Sequence, residues 1–212
     1  RVTYPNKEIL VVNNGSTDDS AQFLKKNYPN VRVVEIKKNR GYAGANNFGV
    51  KYAQGKYVLF LNNDTQVTPN FLEPLVAKIE SDNKIGAVQP QIRHMVQRNV
   101  IDSIGSFFTF TGFLYHYGYF QPHKDKKYQK ELSVYTVKGA CFLMGKKDYM
   151  DLGGIDESFV TYVEESDLCH RILLSGKKIM YVPQSVVYHF GGGDMHIMTK
   201  NEVVIFRSFR NR

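Results

Sequence analysis

An α/β fold, a mainly parallel sheet flanked by helices, is what the first ninety residues predict. Apolar segments of strand length alternate there with amphipathic segments of helix length, and the strands end in polar turns. No internal repeat or low-complexity tract interrupts the pattern. A length of 212 residues suits one domain, and 42% hydrophobic with 13% aromatic residues supplies enough apolar surface for a core, which argues against disorder.

Glu8 to Val12 is a β-branched run that ends in the turn Asn13-Asn14-Gly15, the pattern of a buried strand. Ser16 to Asp19 has the form of a capping box; Ala21, Leu24 and Tyr28 follow at helical spacing, and Pro29 stops the helix. Val31 to Ile36 is a second strand. The Gly-rich turn Asn39 to Gly44 leads into a helix with Ala45, Phe48, Tyr52 and Ala53 on one face, ended by Gly55. Tyr57 to Leu61 is the third strand, and it delivers Asn62, Asn63 and Asp64 to the carboxyl edge of the sheet, where ligands of open α/β sheets sit.

Thr68 and Pro69 fit the cap and first position of a helix carrying Phe71, Leu72, Leu75, Val76 and Ile79, with a kink expected at Pro74. Ile85 to Pro90 is a fourth strand. Residues 93–135 are rich in aromatic and basic residues and poor in helix signals, which predicts an antiparallel or irregular insertion. The apolar run Ala140 to Met144, a short helix over Lys147 to Leu152, and a helix through Leu168, Ile172 and Leu173 ended by Gly176 come next. Ile179 to Val182 and Val186 to His189 read as two short strands. Lys200, Arg207, Arg210 and Arg212 make the end a basic amphipathic stretch.

The net charge is +8, from 28 Lys+Arg against 20 Asp+Glu, which favours an anionic partner. No apolar run reaches the roughly 18 residues of a membrane span, and the start lacks the apolar stretch of a signal peptide. Cys141 and Cys169 lie among apolar neighbours without a CxxC pair, so they read as reduced core thiols of a cytoplasmic protein.

Four polar clusters carry chemistry: Asn13 to Ser16, Asn62 to Asp64, Glu164 to Asp167, and His189 before Gly191 to Gly193. A carboxylate, an imidazole and phosphate oxygens form a set that Mg²⁺ or Mn²⁺ accepts. The bland alternatives are a turn, a cap, a solvated helix face and a buried histidine. Order and spacing together are more specific. The stretches EILVVNNGSTDDS (8–20), NRGYAGANNFG (39–49), YVLFLNNDTQV (57–67), VKGACFLMGKKDYMDLGGIDESF (137–159), VEESDLCHR (163–171) and VPQSVVYH (182–189) span nearly the whole chain. In this order the sequence resembles the family 2 inverting glycosyltransferases of GT-A fold, particularly the rhamnosyltransferase-like members.

The resemblance implies transfer of a sugar from a nucleoside diphosphate donor to an acceptor hydroxyl with inversion, in polysaccharide or cell-surface glycan synthesis. Asn13 stands where the family usually has an Asp facing the base, beside Ser16; Asn39, Gly41, Gly44 and Asn47 match a second nucleotide-proximal turn. Asn62-Asn63-Asp64 matches the D-x-D motif with one carboxylate, which makes Asp64 the main implied metal ligand and places Asn62 and Asn63 with the donor. Glu165 matches the general base, Asp167 the second acid of that motif, and His189 a histidine that approaches the metal. One GT-A domain is implied over 1–212, with a nucleotide-sugar half at 1–92 and an acceptor and catalytic half at 93–212.

The family normally opens with an apolar strand and a helix, about thirty residues that the match does not contain, and relatives continue past Arg212. The implied partners are a nucleotide-sugar donor and a glycan or lipid-linked acceptor, with the basic end at the inner membrane face and no nucleic acid. The aromatic run from Phe107 to Phe120 fits either sugar stacking or a hairpin with one side in the core. Rival readings are a catalytically degenerate nucleotide-sugar-binding domain, which Asn13 favours, and a nucleotidyltransferase, which would want a basic Gly-rich loop that the chain lacks.

Overall fold

The computed structural model describes residues 2–159 and 162–191. The first part runs β1 (Ile9–Asn14), α1 (Ser20–Asn27), β2 (Val31–Ile36), α2 (Gly41–Tyr52), β3 (Tyr57–Leu61), β4 (Thr65–Val67), α3 (Leu72–Glu80) and β5 (Ile85–His94). The insertion supplies β6 (Ile101–Ser103), β7 (Ser106–Phe108), β8 (Leu114–His116) and β9 (Leu132–Val134). Then follow β10 (Cys141–Gly145), α4 (Lys146–Asp151), α5 (Glu164–Leu174) and β11 (Lys178–His189). The basic C-terminal stretch lies outside the described residues.

The sheet is mixed and flanked by helices as expected, with antiparallel pairs the more numerous among the described residues. Only β1–β2 and β5–β11 pair in parallel among the described residues; β3–β10, β10–β5, β11–β4, β11–β9, β5–β6 and β7–β8 are antiparallel. Strand–helix alternation fixes the order of elements but not the direction of a strand that follows a long insertion, and β10 returns from residues 95–140 running opposite to its neighbours. The central sheet has the order β3-β10-β5-β11-β4.

Both faces of this sheet are covered. Along β10, Phe142 and Met144 point to a core shared with Phe60, Tyr149, Leu168 and Ile172, while Cys141 and Leu143 point to the face covered by Phe71, Leu75 and Ile79 of the α3 region. That two-sided burial explains why these strands read as continuous apolar runs. Cys141 and Cys169 are buried free thiols, and burial pushes both thiols up.

Local chemistry moves several expected boundaries. The Ser16–Asp19 capping box does not form: Asn13 Oδ1 accepts from Ser16 N (3.0 Å), Asp18 Oδ1 accepts from Ser20 N (3.1 Å), and α1 starts only at Ser20. Short polar side chains here satisfy turns in preference to the helix end. The second helix begins at Gly41, inside the expected turn. Thr68 does not cap α3 but donates to Val186 O (3.0 Å), and α3 starts at Leu72. Pro74 therefore falls in the first turn, where its missing N–H costs no helical bond, and no kink is required. The two final strands are one, β11, with an irregularity against β5 between Val182 and Val186.

β1 pairs only with β2, and β3 only with β10, among the described residues. Between their free edges lies a cavity of ≈1550 Å³ lined by Leu10, Val12, Leu59, Leu61 and Val67, among others. The aromatic run forms the β7–β8 hairpin: Phe107 and Tyr117 pack against the core, while Phe108, Phe110, Phe113, Tyr115, Tyr119 and Phe120 are exposed.

Candidate active site

β4 was not expected from the sequence, and its register builds the first half of the site. Thr65 pairs with His189, Val67 with Val187, and Phe190 N donates to Asp64 O (3.0 Å), so the residue just before β4 meets the last residue of β11. His189 Nε2 lies 3.3 Å from Asp64 Oδ1. The ring's other nitrogen, Nδ1, lies 2.7 Å from Asp102 Oδ2 on β6. Lys138 Nζ in turn donates to both Asp102 oxygens, each at 2.7 Å.

Charge is tightly balanced in this chain of side chains. Burial pushes the Asp102 carboxyl up, but the His189 bond and the Lys138 charge outweigh it and hold the group below the usual carboxylate range. The neighbouring His189 ring holds Asp64 low as well, against the effect of burial. Burial would lower His189, yet the two carboxylates raise it above its ordinary value.

The second half of the site is the N-terminus of α5. Glu164 is buried, and its Oε2 has no hydrogen-bond partner. Burial, followed by the charge of Glu165, pushes its carboxyl up to about 8. Burial raises Glu165 too, while Lys138 and the Gly139 N–H oppose the rise. Lys138 thus bears on both halves, its charge acting on Glu165 while its Nζ is bonded to Asp102. Asp167 points elsewhere: Arg171 Nε (3.0 Å) and Nη2 bind its Oδ2, and the same guanidinium donates to Leu152 O. That ion pair fastens α5 to the turn after α4.

The turns after β1 and β2 are laced together by Asn14, a member of the Asn13–Ser16 cluster to which the motif assigns no role of its own. Its Nδ2 donates to Asn39 Oδ1 and Gly41 O, both at 3.1 Å, and its Oδ1 accepts from Arg40 N (2.9 Å). Gly15 has φ +77°, and a Cβ there would lie 2.8 Å from Asn39 N, so close approach of the two turns requires glycine. Asn13, Ser16, Gly41, Asn62 and Asn63 all line the cavity beside β1 and β3. Gly44 and Asn47 do not. A Cβ on Gly44 would strike Arg40 Cβ at 2.6 Å, and Arg40 is paired with Glu157. The Asn47 amide is spent within the chain, donating to Ile155 O (2.7 Å) and accepting from Ile155 N (3.0 Å) and the Tyr149 hydroxyl.

Asp102 is a residue that sequence reasoning missed. A lone acid in the apolar stretch Ile101-Asp102-Ser103-Ile104 was its only signal. The donor set can be tested for a divalent cation from Asp64 itself, whose Oδ1 is buried without a hydrogen-bond partner because the His189 contact is off-line. An orphaned carboxylate oxygen beside an imidazole nitrogen suits Mg²⁺ or Mn²⁺. No group of three or more His, Cys, Asp or Glu side chains among the described residues could hold a metal unaided. Two protein ligands, completed by phosphate oxygens, match the way such ions bind with nucleotides.

A mixed sheet thus brings Asp64 and His189 together at one edge, and comparison with known proteins gives the family. The model of Glycosyl transferase family 2 matches residues 1–153, and the chain belongs to that family. It is 27% identical over 194 residues to the O-antigen biosynthesis protein RfbC of Myxococcus xanthus, covering 88% of this chain and 15% of that protein. It is 27% identical over 190 residues to the poly-β-1,6-N-acetyl-D-glucosamine synthase of Staphylococcus epidermidis, covering 87% of this chain and 43% of the synthase. The chain therefore spans less than half the length of these curated relatives.

Among solved structures it resembles GalNAc-T7 with UDP, GalNAc and Mn²⁺, at TM-score 0.71 and 20% identity over 86% of this chain and 37% of that one. It also resembles S. aureus TarS 1–349 in complex with UDP, at TM-score 0.63 and 18% identity over 88% of this chain and 52% of that one. The fold is GT-A. No helix among the described residues is long and apolar enough to cross a membrane.

Proposed function

We propose that this chain is the nucleotide-sugar transferase domain of a glycan-synthesising enzyme, acting by a single displacement with inversion. The observation that supports this most is the His189 ring set between Asp64 and Asp102 at one sheet edge, with Lys138 bonded to Asp102 and its charge acting on Glu165. The donor's nucleotide lies against the Asn13–Ser16 and Asn39–Gly41 turns and Asn62–Asn63, in the 1–92 half. The acceptor enters from the 93–212 half, where the exposed aromatics of the β7–β8 hairpin offer faces for sugar rings.

Glu165 is the general base. Burial raises its affinity for protons above that of an ordinary carboxylate, which makes it a stronger base for the acceptor's proton. The acceptor oxygen attacks the anomeric carbon, its proton passes to Glu165, and the bond from that carbon to the nucleoside diphosphate oxygen breaks. Asp64 and His189 would hold Mg²⁺ or Mn²⁺, which when bound offsets negative charge on the diphosphate. Asp167 supports the base by fixing α5 through Arg171. The acceptor is a glycan or a lipid-linked sugar, and the basic C-terminal sequence favours work at the inner, anionic face of a membrane.

Asn13 in place of an acid favours a second reading, a binding domain without turnover. Thermal unfolding with a panel of nucleotide sugars and Mn²⁺, followed by transfer assays on those that stabilise, separates the two. Stabilisation with transfer supports the proposal; stabilisation without transfer to any glycan acceptor supports the binding domain.

A further inference from the structure

We infer that Asp102 is a positioning residue that sets the orientation and proton placement of His189, with Lys138 holding Asp102 in place. This rests on the reading of Asp64 and His189 as metal ligands. His189 is 5% exposed, and its two ring nitrogens face two different carboxylates. At Nδ1 the contact to Asp102 Oδ2 is a well-formed 2.7 Å hydrogen bond; at Nε2 the 3.3 Å approach to Asp64 Oδ1 is not a hydrogen bond. A carboxylate accepts and never donates when ionised, so Asp102 draws the ring proton to Nδ1. The Nε2 lone pair is then left facing the Asp64 oxygen that has no partner. Imidazole that binds a metal through one nitrogen commonly donates its other N–H to a carboxylate in this way.

Asp102 is itself locked. Lys138 Nζ bonds both of its oxygens, and the Lys138 backbone N donates to Gln89 Oε1 (2.6 Å). Gln89 Nε2 donates to Ser103 Oγ (3.2 Å), next to Asp102 in the chain. This closed ring of bonds, buried at Gln89–Ser103 and part-buried at Lys138, ties β5, β6 and the loop before β10 to one carboxylate. Buried polar groups so completely engaged stay in one geometry. The charge of the same lysine also acts on Glu165.

The test compares the unaltered chain with Asp102→Ala, Asp64→Ala and the double variant Asp102→Ala/Lys138→Met. The double variant leaves no unpaired ammonium and carries the same expectation, so misfolding of the single variant does not remove the test. Mn²⁺ alone is titrated and free Mn²⁺ read by electron paramagnetic resonance. His189 ring ¹⁵N shifts are recorded without metal, at pH values high enough that they no longer change. The unaltered ring should carry its proton on Nδ1. Removing Asp102 should move it to Nε2 and weaken Mn²⁺ binding by roughly 10–100-fold. A tautomer that ignores the loss of Asp102, or Mn²⁺ affinity that falls with Asp64→Ala but not with Asp102→Ala, overturns the assignment of Asp102 alone. Mn²⁺ affinity indifferent to Asp64→Ala overturns the metal reading itself.

Discussion

Glu164 is 5% exposed with an orphaned Oε2 beside a second carboxyl, and replacing it by Gln should stabilise the protein in a pH-dependent way. In the unfolded chain its carboxyl has the ordinary value of 4.5, while burial and the Glu165 charge raise it to about 8 in the fold. The folded state therefore binds more protons across that interval. Stability is full below about pH 4.5 and is lost as pH rises through about 8. Each pH unit is worth about 1.4 kcal/mol, so by pH 7 the wild type gives up about 3 kcal/mol on this group.

Gln keeps the shape and carries no ionisation cost. Glu164→Gln should match the wild type near pH 4.5 and exceed it by about 4 kcal/mol at pH 8, or roughly 8–16 °C in Tm. Denaturant unfolding of both proteins at half-unit steps of pH measures this. Glu165 contributes a slope to both, so the difference between the curves is the quantity read. Two parallel curves would refute the reasoning.

Asp64→Ala should abolish Mn²⁺-dependent stabilisation by nucleotide sugars while unfolding at nearly the wild-type temperature without them; retention of the Mn²⁺ effect would remove Asp64 from the site. Asn47→Ala strips partners from the buried Ile155 backbone and should cost about 2 kcal/mol, read by chemical denaturation, with nucleotide binding in the folded fraction retained. Asp167→Asn weakens the pair with Arg171 and should lower stability modestly, by about 1 kcal/mol, with transfer reduced far less than by loss of Glu165.

Much of the fold is legible in the chain because apolar runs and helical periodicity survive without tertiary information. β1, β2, β3, β5 and the helices from α1 to α5 fall where patterning puts them, within a few residues. Strand direction is not legible, since β10 owes it to what it meets after a long excursion and β4 to its pairing with the distant β11. Cap residues mislead at Ser16 and Thr68 because each side chain or backbone finds a better partner in a turn or a neighbouring strand. At the site, Asp64, His189 and Glu165 stand out because they end strands or begin a helix. Asp102 and Lys138 do not, because their importance lies in contacts across 36 and 87 positions of sequence. Gly44 and Asn47 are both held by contacts within the chain, Gly44 against Arg40 and Asn47 by Ile155 and Tyr149, which the motif alone does not reveal.

The central claim is that Glu165 takes the acceptor's proton, and one comparison tests it most directly. Glu165→Gln and Asp167→Asn are assayed for transfer from a nucleotide sugar that stabilises the wild type, with donor binding measured alongside. About 200° of helical turn separates the two acids, so only one can face the acceptor. Glu165→Gln should keep donor and Mn²⁺ binding and lose transfer by roughly 10²–10⁴-fold, with Asp167→Asn still turning over. Near-normal turnover in Glu165→Gln together with an inactive Asp167→Asn would contradict the account and move the base two residues along α5.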